Sequence, residues 1–472
     1  MSSETFRTWR VGVALTLALV GRAMAAPQIA PTGEAITPLA TRGAVFEALN
    51  PHLKDLPDYT VGQASALALS PDGKTLLVLT SGFNRMFGPN AEILPDASTE
   101  FVFVFDVSGP TPRQLQALAV RDSFIGLVWA PQGGAFYVSG GVDDDVLEFT
   151  GAPGTFVPGR TFKLGHKTGI GLMVRPEVGG LAISPDGARL LATNLQNDSV
   201  SLIDLKSGAV AEQDLRPGVI DPARAGAPGG TFPRAVAWSD NSHAYVASER
   251  DRQIIALAIG AGHISVGPRI ATRGQPVHLL AGPHGRLYAA LDNTDAALVI
   301  DTAQDRILET IPTAAPPALA RPGLGGAGSN FLALSPDRRT LYVANGGENA
   351  VAVIALDAEA RGLAKAASRK ADADGDGDDD DDAKAGAVTR APEVAASRVV
   401  GLIPTGWYPT GVAERPDGRA LYIINAKSVP GPNAKACRDT LSTASGSETA
   451  CRAANQYVWQ LEKAGLLTLP PP

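Results

Sequence analysis

A turn of the form Ser-Pro-Asp-Gly recurs along this chain, each time between two short apolar runs, and a recurrence of that kind restricts the fold more than any other feature. Its copies are Ser70-Pro71-Asp72-Gly73, Ala130-Pro131-Gln132-Gly133, Ser184-Pro185-Asp186-Gly187, Ser239-Asp240-Asn241-Ser242, Gly282-Pro283-His284-Gly285, Ser335-Pro336-Asp337-Arg338 and Arg415-Pro416-Asp417-Gly418. Proline at the second position and glycine at the fourth are what a type I turn asks for, so most copies predict a hairpin corner. Seven corners predict seven similar units.

The third copy shows what a unit contains. Gly180-Leu181-Ala182-Ile183 enters the turn and Arg189-Leu190-Leu191-Ala192-Thr193 leaves it. Val200-Ser201-Leu202-Ile203 then alternates with period two, and a more polar run from Val210 to Leu215 follows the Lys206-Ser207-Gly208 turn. Four strands with apolar inner members and a polar outer one describe a propeller blade. The expectation is an all-β, seven-bladed β-propeller of four-stranded antiparallel blades occupying residues 26–472.

Successive turns lie 60, 54, 55, 43, 53 and 80 residues apart. Only the last gap departs from a blade period of about 40–50 residues plus loops. It holds residues 359–394, rich in Ala, Lys and Asp; without them the spacing returns to 44. This stretch reads as an acidic, low-complexity insertion between blades six and seven.

At the N-terminus, Arg7 and Arg10 precede an apolar run from Val11 to Val20 and an Ala23-Met24-Ala25 site before Ala26, the three regions of a secretory signal peptide over residues 1–25. The run is too short to span a bilayer. The expected location is the periplasm or the exterior. Cys437 and Cys451, the only cysteines, would there close a disulfide. The formal charge is −7. Asp372, Asp374, Asp376 and Asp378 to Asp382 account for most of the negative excess, and there is no basic stripe of the kind a nucleic acid or an anionic membrane requires.

Leu341-Tyr342-Val343-Ala344-Asn345, Leu190-Leu191-Ala192-Thr193-Asn194 and Leu421-Tyr422-Ile423-Ile424-Asn425 resemble the second-strand signature of YVTN-type β-propeller repeats. Ile36-Thr37-Pro38, Gly43-Ala44-Val45-Phe46, Leu49-Asn50-Pro51, the run from Ser70 to Asn84 and Pro404-Thr405-Gly406-Trp407-Tyr408-Pro409-Thr410 are similar to the propeller half of bacterial exported proteins. In those proteins an alkaline-phosphatase-type phosphoesterase domain follows. The resemblance implies a propeller, with the catalytic half expected after a segment like residues 461–470, where this sequence ends. A propeller commonly closes its ring with strands from both termini; residues 34–39 are the expected closing strand, beside 466–469.

Candidate chemistry is sparse. Asp372, Asp374, Asp376 and Asp378, with a glycine at the sixth position, match the first half of a calcium loop, but Ala383 stands where a bidentate Glu should close it. A solvated acidic loop competes with that reading. Calcium is the one cofactor the sequence offers. Asn194, Asn345 and Asn425 end second strands and read as turn-forming residues; Trp129 and Trp238 read as fillers between blades. Trp407 and Tyr408, just before the first strand of the last blade, are the candidates for a ligand or partner contact. These readings favour an exported, non-catalytic propeller that binds a protein or small ligand through one face. The alternatives are the accessory half of a phosphoesterase and a lactonase-like propeller hydrolase with metal in its channel. No catalytic constellation is visible, so the balance leans against an enzyme.

Overall fold

The computed structural model describes residues 43–54, 57–81, 99–217, 231–317, 325–358, 360–362, 396–428 and 463–471, together with the backbone of two short strands, Gln28–Ile29 and Ala35–Ile36. Seven four-stranded sheets are present among them, and every pairing between neighbouring strands is antiparallel. The fold is the seven-bladed β-propeller that the turn repeat predicts.

The innermost strands are Ala64–Leu69, Leu127–Trp129, Val178–Ile183, Pro233–Trp238, Pro276–Ala281, Ser329–Leu334 and Pro409–Glu414, in blades one to seven. Each runs into its corner as expected. At the first, the Ser70 hydroxyl donates to Asp72 Oδ1 at 2.6 Å, Gly73 N–H donates to Ser70 O at 2.8 Å, and Thr75 N–H donates to Ser70 Oγ at 2.9 Å. Gly73 and Gly187 adopt φ of +70° and +72°, which explains the glycine at the fourth position.

The apolar core consists of wedges, one at each interface between neighbouring blades. Leu67, Leu76 and Phe103 of blade one pack with Tyr422, Ile424 and Leu466 of blade seven; comparable clusters join every other adjacent pair. Trp129 and Trp238 act in these wedges: the indole N–H of each donates at 3.0 Å to an inner-strand carbonyl of the preceding blade, Ala68 O and Ala182 O. Where blades three and four meet near the axis, a Cβ on Gly180 would lie 2.7 Å from Arg234 O, so only glycine lets the two backbones approach so closely.

Two sequence expectations are corrected here. Ring closure uses Val45–Ala48, paired with the C-terminal strand Gly465–Leu469, in register Val45 with Thr468 and Ala48 with Gly465. Residues 34–39 are not that strand, since Ala35–Ile36 pairs with Gln28–Ile29. Val45-Phe46-Glu47-Ala48 offers a four-residue run whose Phe46 covers Gly465. Blade seven therefore takes its outermost strand from the N-terminal part of the chain and the other three from the C-terminal part. The second correction concerns the acidic stretch 359–394. The strands on either side, Ala350–Ala355 and Arg398–Pro404, pair with each other in blade six, so the insertion joins the third and outermost strands of that blade. Turn spacing alone cannot distinguish the two placements. Asp372, Asp374, Asp376, Asp378, Cys437 and Cys451 lie outside the described residues.

Candidate functional site at the channel mouth

Every innermost strand contributes to a central cavity of about 310 Å³. A repeated backbone irregularity shapes its rim. In blades one and four to seven the pairing of the innermost with the second strand skips the second residue of the innermost strand: Ser65, Arg234, Val277, Asn330 and Thr410. Such bulges re-aim a side chain. These five residues stand at one position of the repeat, five before the first residue of each corner turn.

At three of those positions the side chain links blades. Ser65 Oγ donates to Phe124 O at 2.7 Å, Asn330 Nδ2 to Pro409 O at 3.0 Å and Thr410 Oγ1 to Ala64 O at 2.6 Å. In each case the acceptor lies in the next blade around the ring. Arg234 departs from the pattern. Its Nη1 lies 3.4 Å from Glu249 Oε2, its guanidinium sits 5.5 Å from the Phe124 ring centroid, and it faces the cavity. Among the described residues lining the cavity, Arg234 alone carries a formal charge.

The groups around it are tuned by burial and by that charge. Burial pushes the His278 imidazole down to about 3, with Arg234 adding to the effect, so the ring is neutral at ordinary pH. His278 packs at 4.1 Å between centroids against Phe331, and its Nδ1 is buried without a partner among the described residues. Burial raises the Glu177 carboxyl, opposed by a hydrogen bond from Gln196 and by Arg234. Asp292 is likewise raised by burial, against the pull of Arg234. Asn330 Oδ1 is also buried and unpartnered. Unsatisfied buried polar atoms are uncommon in native proteins and call for an explanation; two on one cavity wall beside a guanidinium match a site built for a polar ligand.

Tyr408 stands on the cavity wall, with Lys427 Nζ 5.3 Å from its ring centroid. Its backbone is left-handed, φ +54°, as are Gln63 and Phe232 at the equivalent place before blades one and four. The conformation thus belongs to the entry turn, and the side chain is what differs. Tyr408 N–H donates to Asn349 Oδ1 at 2.8 Å, and Tyr408 O accepts from Ala426 N–H at 2.9 Å. The missing side chain of Gly346 makes room for both the Tyr408 ring and the Asn330 amide. Trp407 is half-buried, and its Nε1 has no partner. The structure thus brings Tyr408 into one site with Arg234, His278 and Asn330, none of which sequence reasoning selected. Counting back five residues from each corner turn would have found Arg234 and Asn330.

The asparagines at second-strand ends differ among themselves. Asn194 Nδ2 donates at 2.9 Å to both Ser199 Oγ and Ser201 Oγ; Asn345 Nδ2 donates to Thr313 O and Glu348 Oε2, each at 2.9 Å. Those two fasten blades. The Asn425 amide is buried with no partner among the described residues. No group of three or more His, Cys, Asp or Glu side chains converges among the described residues.

A family model described as lactonase, 7-bladed beta-propeller, matches residues 176–375. That span is less than half of the chain, yet it contains Glu177, Arg234, His278, Asp292 and Asn330. No curated protein matches. Among solved structures, U3-55K aligns with a TM-score of 0.53 at 10% identity over 86% of this chain and 96% of its own. Hydrazine synthase of Kuenenia stuttgartiensis aligns at 0.51 and 18% identity over 79% and 94%. A catalytically inactive virginiamycin B lyase from Staphylococcus aureus, solved with quinupristin, aligns at 0.51 and 11% identity over 90% and 99%. At such identities the likeness is one of fold. The chain is a seven-bladed propeller whose middle blades are similar to the lactonase propeller family.

Proposed function

We propose that this chain is an exported ligand-binding propeller, and that its site is the channel mouth, where Arg234 receives a small molecule bearing a carboxylate or another oxygen-rich group. The observation that carries the reading is the break in the repeat at Arg234: of five equivalent side chains three hold the ring together and Val277 is apolar, while Arg234 presents a guanidinium to a cavity edged by polar atoms unpartnered among the described residues. Guanidinium is well suited to planar, anionic oxygen groups. The Tyr408 phenol offers a further donor. Export is supported by the basic, apolar and small-residue regions of residues 1–25, and the resemblance to propeller halves of exported phosphoesterases supports a companion role for such an enzyme.

A second reading, lactone hydrolysis, is favoured by the family match over residues 176–375 and by Glu177 and Asp292. Burial raises both carboxyls against the opposing charge of Arg234, and a perturbed carboxyl is a candidate for moving protons. In that reading Arg234 would hold the carbonyl oxygen, one carboxylate would take a proton as the water oxygen bonds the carbonyl carbon, and that proton would pass to the ring oxygen as the ring C–O bond breaks.

Calorimetric titration with gluconate and hydrolysis of gluconolactone test both readings. Arg234→Met is expected to weaken gluconate binding ten- to a hundred-fold, the loss of about 1.5–3 kcal/mol for a charge-assisted hydrogen bond, with little change in melting temperature. Unchanged affinity would refute the binding reading. Lactone turnover above buffer that falls in Glu177→Gln or Asp292→Asn would establish the second reading; turnover absent from the unsubstituted protein would remove it.

A further inference from the structure

Below its polar rim the channel changes character. The mouth cavity is walled by Leu67, Leu127, Leu181, Val236, Leu280 and Leu332. A second cavity of about 550 Å³ opens toward the opposite face between blades five, six, seven and one; Leu280, Phe331 and Leu332 line both. The two therefore adjoin along the inner strands of blades five and six, and we read them as one shaft. From Asn330 at the rim to Leu334 at the far end the inner strand advances four residues, about 13 Å at a strand's rise. Near the far end Glu414 is held by the Tyr342 hydroxyl at 3.0 Å, and burial raises its carboxyl.

A site for a compact, fully hydroxylated molecule would need polar partners on all sides, because each buried hydroxyl without one is costly. Here the polar groups stand at the mouth and, at the far end, as Ser335, Arg338 and Glu414, while the wall between them is apolar. We propose that the ligand is an amphiphile: an anionic or ester head against Arg234 and Tyr408, and an unbranched apolar tail running down the shaft past Leu280 and Phe331. The proposal rests on the reading of the mouth as the binding site and adds the class of molecule. A polar ring over an apolar tube sorts such molecules by tail length, since every methylene leaves water for hydrocarbon contact.

The test is calorimetric titration of the full chain with acetate, butyrate, hexanoate and octanoate, with gluconate as a tailless hydroxylated anion. Affinity is expected to climb about four-fold per buried methylene, the factor that about 0.8 kcal/mol gives, while gluconate binds no more tightly than acetate. Leu280→Gln is expected to flatten the series. Measurable acetate and gluconate binding with a flat series overturns the tail and leaves the mouth intact. An octanoate affinity unaltered by Leu280→Gln overturns the placement of the tail in the shaft. No binding of any anion, gluconate included, refutes the binding reading itself, and the proposal falls with it.

Discussion

His166 offers a quantitative test of how neighbouring blades are held together. It follows the outermost strand of blade two, Val157–Lys163, and lies between carboxylates of two blades. Its Nδ1 is 2.7 Å from Asp144 Oδ1 in blade two, and its Nε2 is 2.9 Å from Glu212 Oε1 on the outermost strand of blade three, Val210–Asp214. The imidazole is 9% exposed. Burial opposes its charge, but the hydrogen bonds to Asp144 and Glu212 outweigh burial and hold its pKa up at about 9 against an ordinary 6.5. A group whose folded-state pKa is raised gives its full stabilisation below the unfolded value and loses it as pH rises through the folded one. The clamp should contribute about 3 kcal/mol below pH 6.5, at ~1.4 kcal/mol per pH unit, and little above pH 9. Urea unfolding of the natural protein and of His166→Gln at pH 5.5, 7.5 and 9.5 reads this directly. The stability difference between the two proteins is expected to shrink from about 3 to about 2 kcal/mol and then nearly vanish. Parallel pH profiles would show that the imidazolium does not join the blades, and the reasoning would fail.

Two further substitutions probe the ring near its axis. Trp238→Phe removes the indole N–H from Ala182 O and the surface on which the Arg189 guanidinium rests at 5.3 Å; a buried acceptor left unpaired costs about 1–3 kcal/mol, measurable as a shift in the urea midpoint, and a loss under about 0.5 kcal/mol would refute the interblade role. Gly180→Ala would set a methyl against the backbone of Arg234 and Ala235, which cannot yield as a flexible side chain does. Its expected destabilisation is about 1–3 kcal/mol by overpacking, and unchanged thermal unfolding would show that the blades can separate at no cost.

Amino-acid order alone determined the blade count and the strand order within a blade, because both are local. A corner turn needs proline and glycine at fixed offsets, and a buried strand needs an apolar run; both were legible in Ser184 to Gly187 and in Leu190 to Thr193. The places of Trp129 and Trp238 were legible for the same reason. What joins distant residues was decided only in three dimensions. The closing strand was expected at 34–39, and nothing in that stretch or in Val45–Ala48 states which will meet Gly465–Leu469. The acidic stretch is bounded by turns on both sides, and only the pairing of Arg398–Pro404 with Ala350–Ala355 places it within blade six. The site is the extreme case. Arg234, His278, Asn330 and Tyr408 come from four blades and span much of the sequence, and they meet because rotation about the axis brings the start of each innermost strand to the same rim. Local patterns encode the blade, whereas a guanidinium facing the channel exists only once seven blades close around it.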